Sequence, residues 1–241
     1  MHVIVHSSLS SLGRVTGGAA AVADSLVHAV GEQGTVVVPA FTPQVADPDP
    51  SAAGVADEQV RARRAAVPVF TADLPSPVGA IAEAVRCRPG AVRSRHPQAS
   101  VAAVGARAAE VVADQPWRFA IGPGSPFARL LDLDAHILLI GVGHDRNSFL
   151  HHAESLTARP RLKLRRFPML LDGERVWWET LDVGDDGGVH FPVVGAEYER
   201  AAGITATTLG AARVVLLPAR SFVAYATTRL SELLDADRAK G

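Results

Sequence analysis

Residues 147 to 155 read Asn-Ser-Phe-Leu-His-His-Ala-Glu-Ser, two adjacent histidines with a glutamate three places after the first. Histidine titrates near neutrality and serves as a general base, and a carboxylate on its far ring nitrogen would set its tautomer and favour the imidazolium. Asn147 is a good helix cap, so a helix beginning after it places His151 and Glu154 on one face and turns His152 about 100° away. Three readings fit these residue types. Glu154 either supports a catalytic His151, or forms a structural or surface hydrogen bond with it, or joins His151 and His152 as ligands of a metal-dependent hydrolase. The metal reading lacks the i, i+4 histidine pair of the zincin helix, and spacing supplies no third ligand. If His151 is the base, the spacing predicts a large loss of activity on His151→Ala and little effect of His152→Ala.

Other stretches carry potential binding chemistry. "HSSLSSLG" (6 to 13) followed by "TGG" (16 to 18) sets small residues and backbone N–H groups between a strand end and a helix start, where phosphate or an oxyanion could sit. It is neither a Walker A loop nor GxGxxG, and a plain Ser/Gly turn fits it equally. "RSRHPQAS" (93 to 100) offers cations to a phosphate or is a solvated cluster before a turn, and "GPGSPF" (122 to 127) is a capped turn with the same ambiguity.

The elements that must position these groups alternate. "HVIVH" and "TVVVPAF" read as β-branched strands on either side of a helix from Thr16 to Gly31. Residues 43 to 60, rich in Pro and Asp, read as a long loop. Helices follow Pro77, Gly105 and Ser125, the last with Ser125 as cap and Pro126 at its first position. "HILLIGVG" (136 to 143) is a continuous apolar run, as in a strand buried on both faces, and it leads into the histidine segment. Strand ends of this kind, just before a helix, are where open α/β sheets hold ligands. "LKLRRFPMLLDGERVWWETLDV" reads as a hairpin about Asp172-Gly173, with Trp177 and Trp178 on opposite faces, and "RVVLLPA" then "SFVAYATTRLSELL" as strand and helix. The expected fold is α/β: a mixed, largely parallel central sheet flanked by helices, with an additional antiparallel hairpin in the C-terminal part. A single domain over 1–241 is expected, and a division near 160 is the alternative.

Composition narrows the class. With 24 Lys and Arg against 25 Asp and Glu, no overall field exists to hold nucleic acid or an anionic membrane. The lone Cys87 allows neither an internal disulfide nor a CxxC site, and no window is a signal peptide or a span, so a cytoplasmic protein is expected.

In order, "VHSSLSSLG", "GGAAAV", "GTVVVPAFT", "GAIAEAVRCRPGAVRSRHPQAS", "GPGSPFARLLDLDAHILLIGVGHDRNSFLHHAE", "LDGERVWW" and "LGAARVVLLPARSFVAYA" resemble the aminoglycoside 3-N-acetyltransferase family, whose fold is unrelated to that of the GNAT superfamily. The resemblance runs over nearly the whole chain. It implies acetyl transfer from acetyl-CoA to the 3-amino group of a 2-deoxystreptamine aminoglycoside, with no metal. Acylation of another amine in natural-product metabolism is the alternative. The family's Asn-Thr-x-Leu-His-x-Ala-Glu pattern falls on Asn147, Ser148, Leu150, His151, Ala153 and Glu154, which implies His151 as base and leaves His152 in a variable slot. The acidic residue after the hairpin turn that assists this histidine falls on Asp182, or on Glu179 or Asp185 after a short shift. An acidic contact to the cationic substrate falls on Asp47.

Within that resemblance, Ser7, Ser8, Leu9, Gly17, Gly18, Arg95, His96 and Ser125 are the expected contacts to coenzyme A, with the backbone near Ser8 and Leu9 facing the oxyanion. An aminoglycoside amine is mostly ammonium at neutral pH and must lose a proton before it can attack a thioester, so an imidazole suits the task. Against the family pattern the chain lacks a helical lead-in of some tens of residues, and "PVFTADLPSP" lacks the usual Phe-Asp pair.

Overall fold

The structure, a computed structural model, describes residues 1–52, 57–184 and 188–240. In chain order it contains β1 (His2–Ser7), α1 (Gly18–Val30), β2 (Thr35–Pro39), α2 (Glu58–Ala66), α3 (Ala80–Arg86), β3 (Val92–Arg93), β4 (Val101–Gly105), α4 (Ala108–Val112) and α5 (Pro126–Asp132). There follow β5 (His136–Ile140), α6 (Phe149–Ser155), β6 (Leu162–Leu171), β7 (Glu174–Val183), α7 (Phe191–Ala201), β8 (Thr207–Leu209), β9 (Ala212–Pro218) and α8 (Ala219–Arg238).

A mixed sheet runs in the order β3-β4-β2-β1-β5-β9-β8. Its centre is parallel, with β1 between β2 and β5, and the flanking strands pair antiparallel. Side chains alternate across the pleat of β1. Val3 and Val5 join Val36, Val38, Ile81 and Val85 beneath α1 and α3, whereas Ile4 joins Val37, Phe127, Leu139, Phe149 and Phe222 on the face covered by α4 to α8. Helices on both faces explain why β2 is buried along its whole length.

The hairpin β6–β7 forms a separate two-stranded sheet, with Leu171 opposite Glu174 across Asp172 and Gly173. Both turn residues have positive φ, as a type I′ turn requires. Phe167 and Met169 of β6 pack on Val45 and Val67, so the segment leading into and out of α2 supports the hairpin.

The stretch expected to be loop up to residue 60 instead turns helical at Glu58. Asp57 accepts the Val60 N–H at 2.9 Å and caps a helix that buries only Val60. The helix α7 and the strands β3, β4 and β8 are further elements beyond the sequence reading.

Candidate active site

A cleft of about 1270 Å³ opens at the carboxyl ends of the parallel strands, lined by His6 and Ser7 of β1, Pro39 of β2 and the segment that follows β5. The strand order departs from β1 in both directions, to β2 and to β5, and a crevice at such a reversal is the expected ligand site of an open α/β sheet. Ligand pockets commonly measure roughly 300–1,000 Å³, so this cleft is larger than most single-ligand pockets. The turn after β5 needs Gly141 at φ 62°, with its carbonyl accepting from Ser11 Oγ at 2.9 Å, which ties the β5 exit to the β1 exit.

The histidine pair divides. His151, partly exposed, lines the cleft with its ring edge-to-face on Phe191, centroids 4.7 Å apart. His152 is buried, donates from Nδ1 to the Ile121 carbonyl at 2.6 Å, and packs against Phe127 and Phe149. Burial pushes its pKa down, partly offset by the Ile121 carbonyl. Glu154 is fully buried, and Arg161 takes both of its oxygens at 2.8 and 2.9 Å. That ion pair corrects the expectation that Glu154 supports His151. The three side chains meet separate partners, so they do not form the ligand set of a metal site. Among the described residues no group of three or more His, Cys, Asp or Glu is placed to hold a metal ion.

At the wall of the cleft the start of α6 is held from two sides. Ser148 donates its N–H to His6 Nε2 at 3.0 Å, and Phe149 donates its N–H to Asn147 Oδ1 at 3.1 Å. His144 accepts from Asn147 Nδ2 at 3.3 Å and donates from Nε2 to Glu199 at 2.9 Å, and Glu199 also pairs with Arg213. Burial is the main force lowering the His144 pKa, opposed by Glu199.

Of the remaining expected contacts, Ser7, Ser8 and Leu9 line the cleft. The Ser8 N–H is spent on the Ile140 carbonyl at 2.9 Å, whereas among the described residues the Leu9 N–H meets no acceptor. Gly17 and Gly18 open α1 outside the cleft lining. Arg95 is exposed and also lies outside it. His96 lines the cleft but is buried; its Nδ1 accepts the Gln98 and Ala99 N–H groups, and its Nε2 faces the Trp117 carbonyl at 3.3 Å. Burial lowers its pKa to about 4, so it brings no positive charge to a phosphate. Ser125 is buried as the cap of α5 and accepts the Phe127 N–H. Asp47 is likewise withdrawn, with both oxygens bonded to Arg64 at 2.9 and 2.8 Å and the Arg166 guanidinium close by.

Asp182, on β7, lines the cleft together with Val183 and Arg165. Its oxygens accept the Ala120 N–H at 3.0 Å and the Val183 N–H at 2.8 Å. Burial raises its pKa, and those two bonds and Arg165 counter the rise. Of the alternatives, Glu179 pairs with Arg166 at 2.6 Å away from the cleft, and Asp185 lies outside the described residues.

His6, Phe191, Asp145, Arg146, and Gly79, Ala80 and Ala82 at the start of α3 are cleft residues that the sequence reading assigned no role. His6 did have a signal, since it is the first residue of the "HSSLSSLG" turn.

Comparison with known proteins adds context. Residues 4–231 match the family model described as aminoglycoside 3-N-acetyltransferase. Aminoglycoside N(3)-acetyltransferase VII of Streptomyces paromomycinus is 36% identical over 257 aligned positions, covering 99% of this chain and 88% of that protein. The structure of AAC-IIIb in binary complex with CoASH superposes with a TM-score of 0.84 at 28% identity, over 96% of this chain and 90% of that one. AAC-VIa bound to sisomicin gives 0.84 at 30%, over 96% and 91%.

Proposed function

The chain belongs to the aminoglycoside 3-N-acetyltransferase family and is an acetyltransferase, and on that premise we propose that it carries acetyl from acetyl-CoA to the 3-amino group of a 2-deoxystreptamine aminoglycoside, with His151 as general base. The observation that carries the reading is His151 itself, partly exposed and lining the cleft at the ends of the parallel strands while its neighbour His152 is buried. CoASH in one structural neighbour and sisomicin in another support the choice of donor and acceptor. Among the described residues no helix is long and apolar enough to cross a membrane, and a cytoplasmic site of action goes with this reading.

The residues divide the work. The turn from Ser7 to Gly13, with Pro77 to Ala82 opposite, forms an open channel for the thioester arm. Leu9 brings an N–H donor toward the carbonyl oxygen, and such a donor stabilises an oxyanion by typically about 2.7 to 4 kcal/mol. His151 takes the proton from the substrate ammonium. Asp182, held in place by two backbone donors, supplies the negative charge that favours both the cationic substrate and the imidazolium. Direct transfer between two bound substrates needs no acetylated enzyme residue.

A second reading, acylation of a different amine, is favoured by one observation: Asp47, the expected contact to the cationic substrate, is consumed by Arg64. Free-thiol release across a panel of deoxystreptamine antibiotics separates the two, and silence with all of them would reject the first. His151→Ala is expected to lower kcat by about two to four orders of magnitude. Unchanged turnover would remove the base.

A further inference from the structure

We propose that His6 is a positioning residue for the transfer reaction: its Nε2 anchors the first turn of α6 and thereby sets the angle at which His151 meets the substrate amine. This rests on the reading of His151 as the base. The bond from Ser148 N–H to His6 Nε2 is buried and joins residues 142 positions apart. The partner on the sheet side is rigid, because His6 sits in β1 opposite Leu139 of β5.

Three features make this bond directional. A ring nitrogen can accept only if it carries no proton, so His6 is the Nδ1–H tautomer. Burial, then the neighbouring His144, lowers its pKa to about 3, so it stays neutral and keeps accepting through the working pH range. Finally, α6 has only seven residues, too few to hold a helix by its own hydrogen bonds, so its orientation is inherited from its anchors. Phe149, Leu150 and Ala153 hold it to the core below. His6 holds its leading peptide from the cleft side, three residues before His151 and on the same helical face.

The geometry distinguishes one ring atom from the other. Glutamine places its Oε1 near the reach of Nε2, and asparagine places its Oδ1 near the reach of Nδ1. In a thiol-release assay of the full chain with acetyl-CoA and a deoxystreptamine acceptor, His6→Asn and His6→Leu are expected to lose about 100-fold in kcat, the scale set by a 1 Å misplacement. KM for both substrates is expected to stay within about twofold, and His6→Gln to recover kcat to within about fivefold of the parent. In a His151→Ala background, His6→Asn is expected to add little further loss, because the two act through one imidazole.

Equal kcat for His6→Gln and His6→Asn would overturn the proposal. So would a full His6→Asn loss on top of His151→Ala, or a loss confined to KM. If the Asn and Leu variants do not fold, His6→Gln decides alone: kcat within about fivefold supports the anchor, and a loss of about 100-fold or more overturns it. Unchanged turnover in His151→Ala would instead strike the base reading, which the single substitution reports separately.

Discussion

Two histidines that are neighbours in sequence are expected to fail in different ways. In His152→Ala the Ile121 carbonyl loses its 2.6 Å donor, and the space between Phe127 and Phe149 empties. An orphaned buried acceptor costs about 1–3 kcal/mol, and a large-to-small change in a core about 2–5 kcal/mol. The two overlap, because the same ring supplies both, and a total of about 4 kcal/mol is expected. For a chain of this size each kcal/mol moves Tm by roughly 2–4 °C, so the melt should fall by roughly 8–16 °C. His151 is only partly buried, so His151→Ala should disturb the melt less than His152→Ala does while turnover collapses. The assay is a thermal and guanidinium melt of both variants beside thiol release measured well below the lower Tm. A His152→Ala protein that melts like the parent yet does not turn over would refute the division. The expectation from spacing alone, that His152→Ala does little, holds in this account for the chemistry of the folded enzyme and not for its stability.

The acid limb of stability should carry a signature of His96. Its folded pKa of about 4 lies below the ordinary 6.5, so the stabilisation is complete above pH 6.5 and is lost as pH falls toward 4, at about 1.4 kcal/mol per pH unit. His96→Asn keeps an acceptor for the Gln98 and Ala99 N–H groups but cannot titrate. Unfolding free energies from denaturant melts between pH 6 and 4.5 should therefore fall less steeply in that variant, by about that slope; an unchanged slope would rule out His96 as the source. Gly195 on α7 leaves no room for a Cβ, which would run into the His144 ring. Gly195→Ala should cost about 1–3 kcal/mol in a melt, and a stability equal to the parent's would show that the ring yields freely.

Much of the fold could be read from local pattern because its strands are short apolar runs with clear punctuation. The runs at 2–6, 35–41 and 136–143 announce the parallel centre, and Asp172-Gly173 announces the hairpin. The helix α2 could not be read by period, since it buries only Val60 and is otherwise a charged surface around Arg61, Arg63 and Arg64. The helix α7 did carry a signal, with Pro192 in its first turn and Phe191, Val194 and Tyr198 on one buried face. At the site, residue type identified groups able to bind but not which were already engaged. Ser125 and His96 are engaged locally, by N–H groups two or three residues further on, whereas Asp47 and Glu154 meet Arg64 and Arg161 only once the chain is folded. His6 carried the signal of its turn but not of its bond, because its partner Ser148 comes from the far side of the sequence.

The separate sheet made by β6 and β7 has a consequence for how this enzyme can diversify. Two strands alone are marginal in water, so this wall leans on Val45 and Val67, and Arg166 links it to Asp47. None of those supports belongs to α6 or to the β1 turn. A mutational library restricted to the hairpin and its buttress, with Asp182 held fixed, would thus redraw one bank of the cleft while leaving the imidazole and the channel opposite in place, a modular route by which new acceptors can be recruited to an old transfer chemistry.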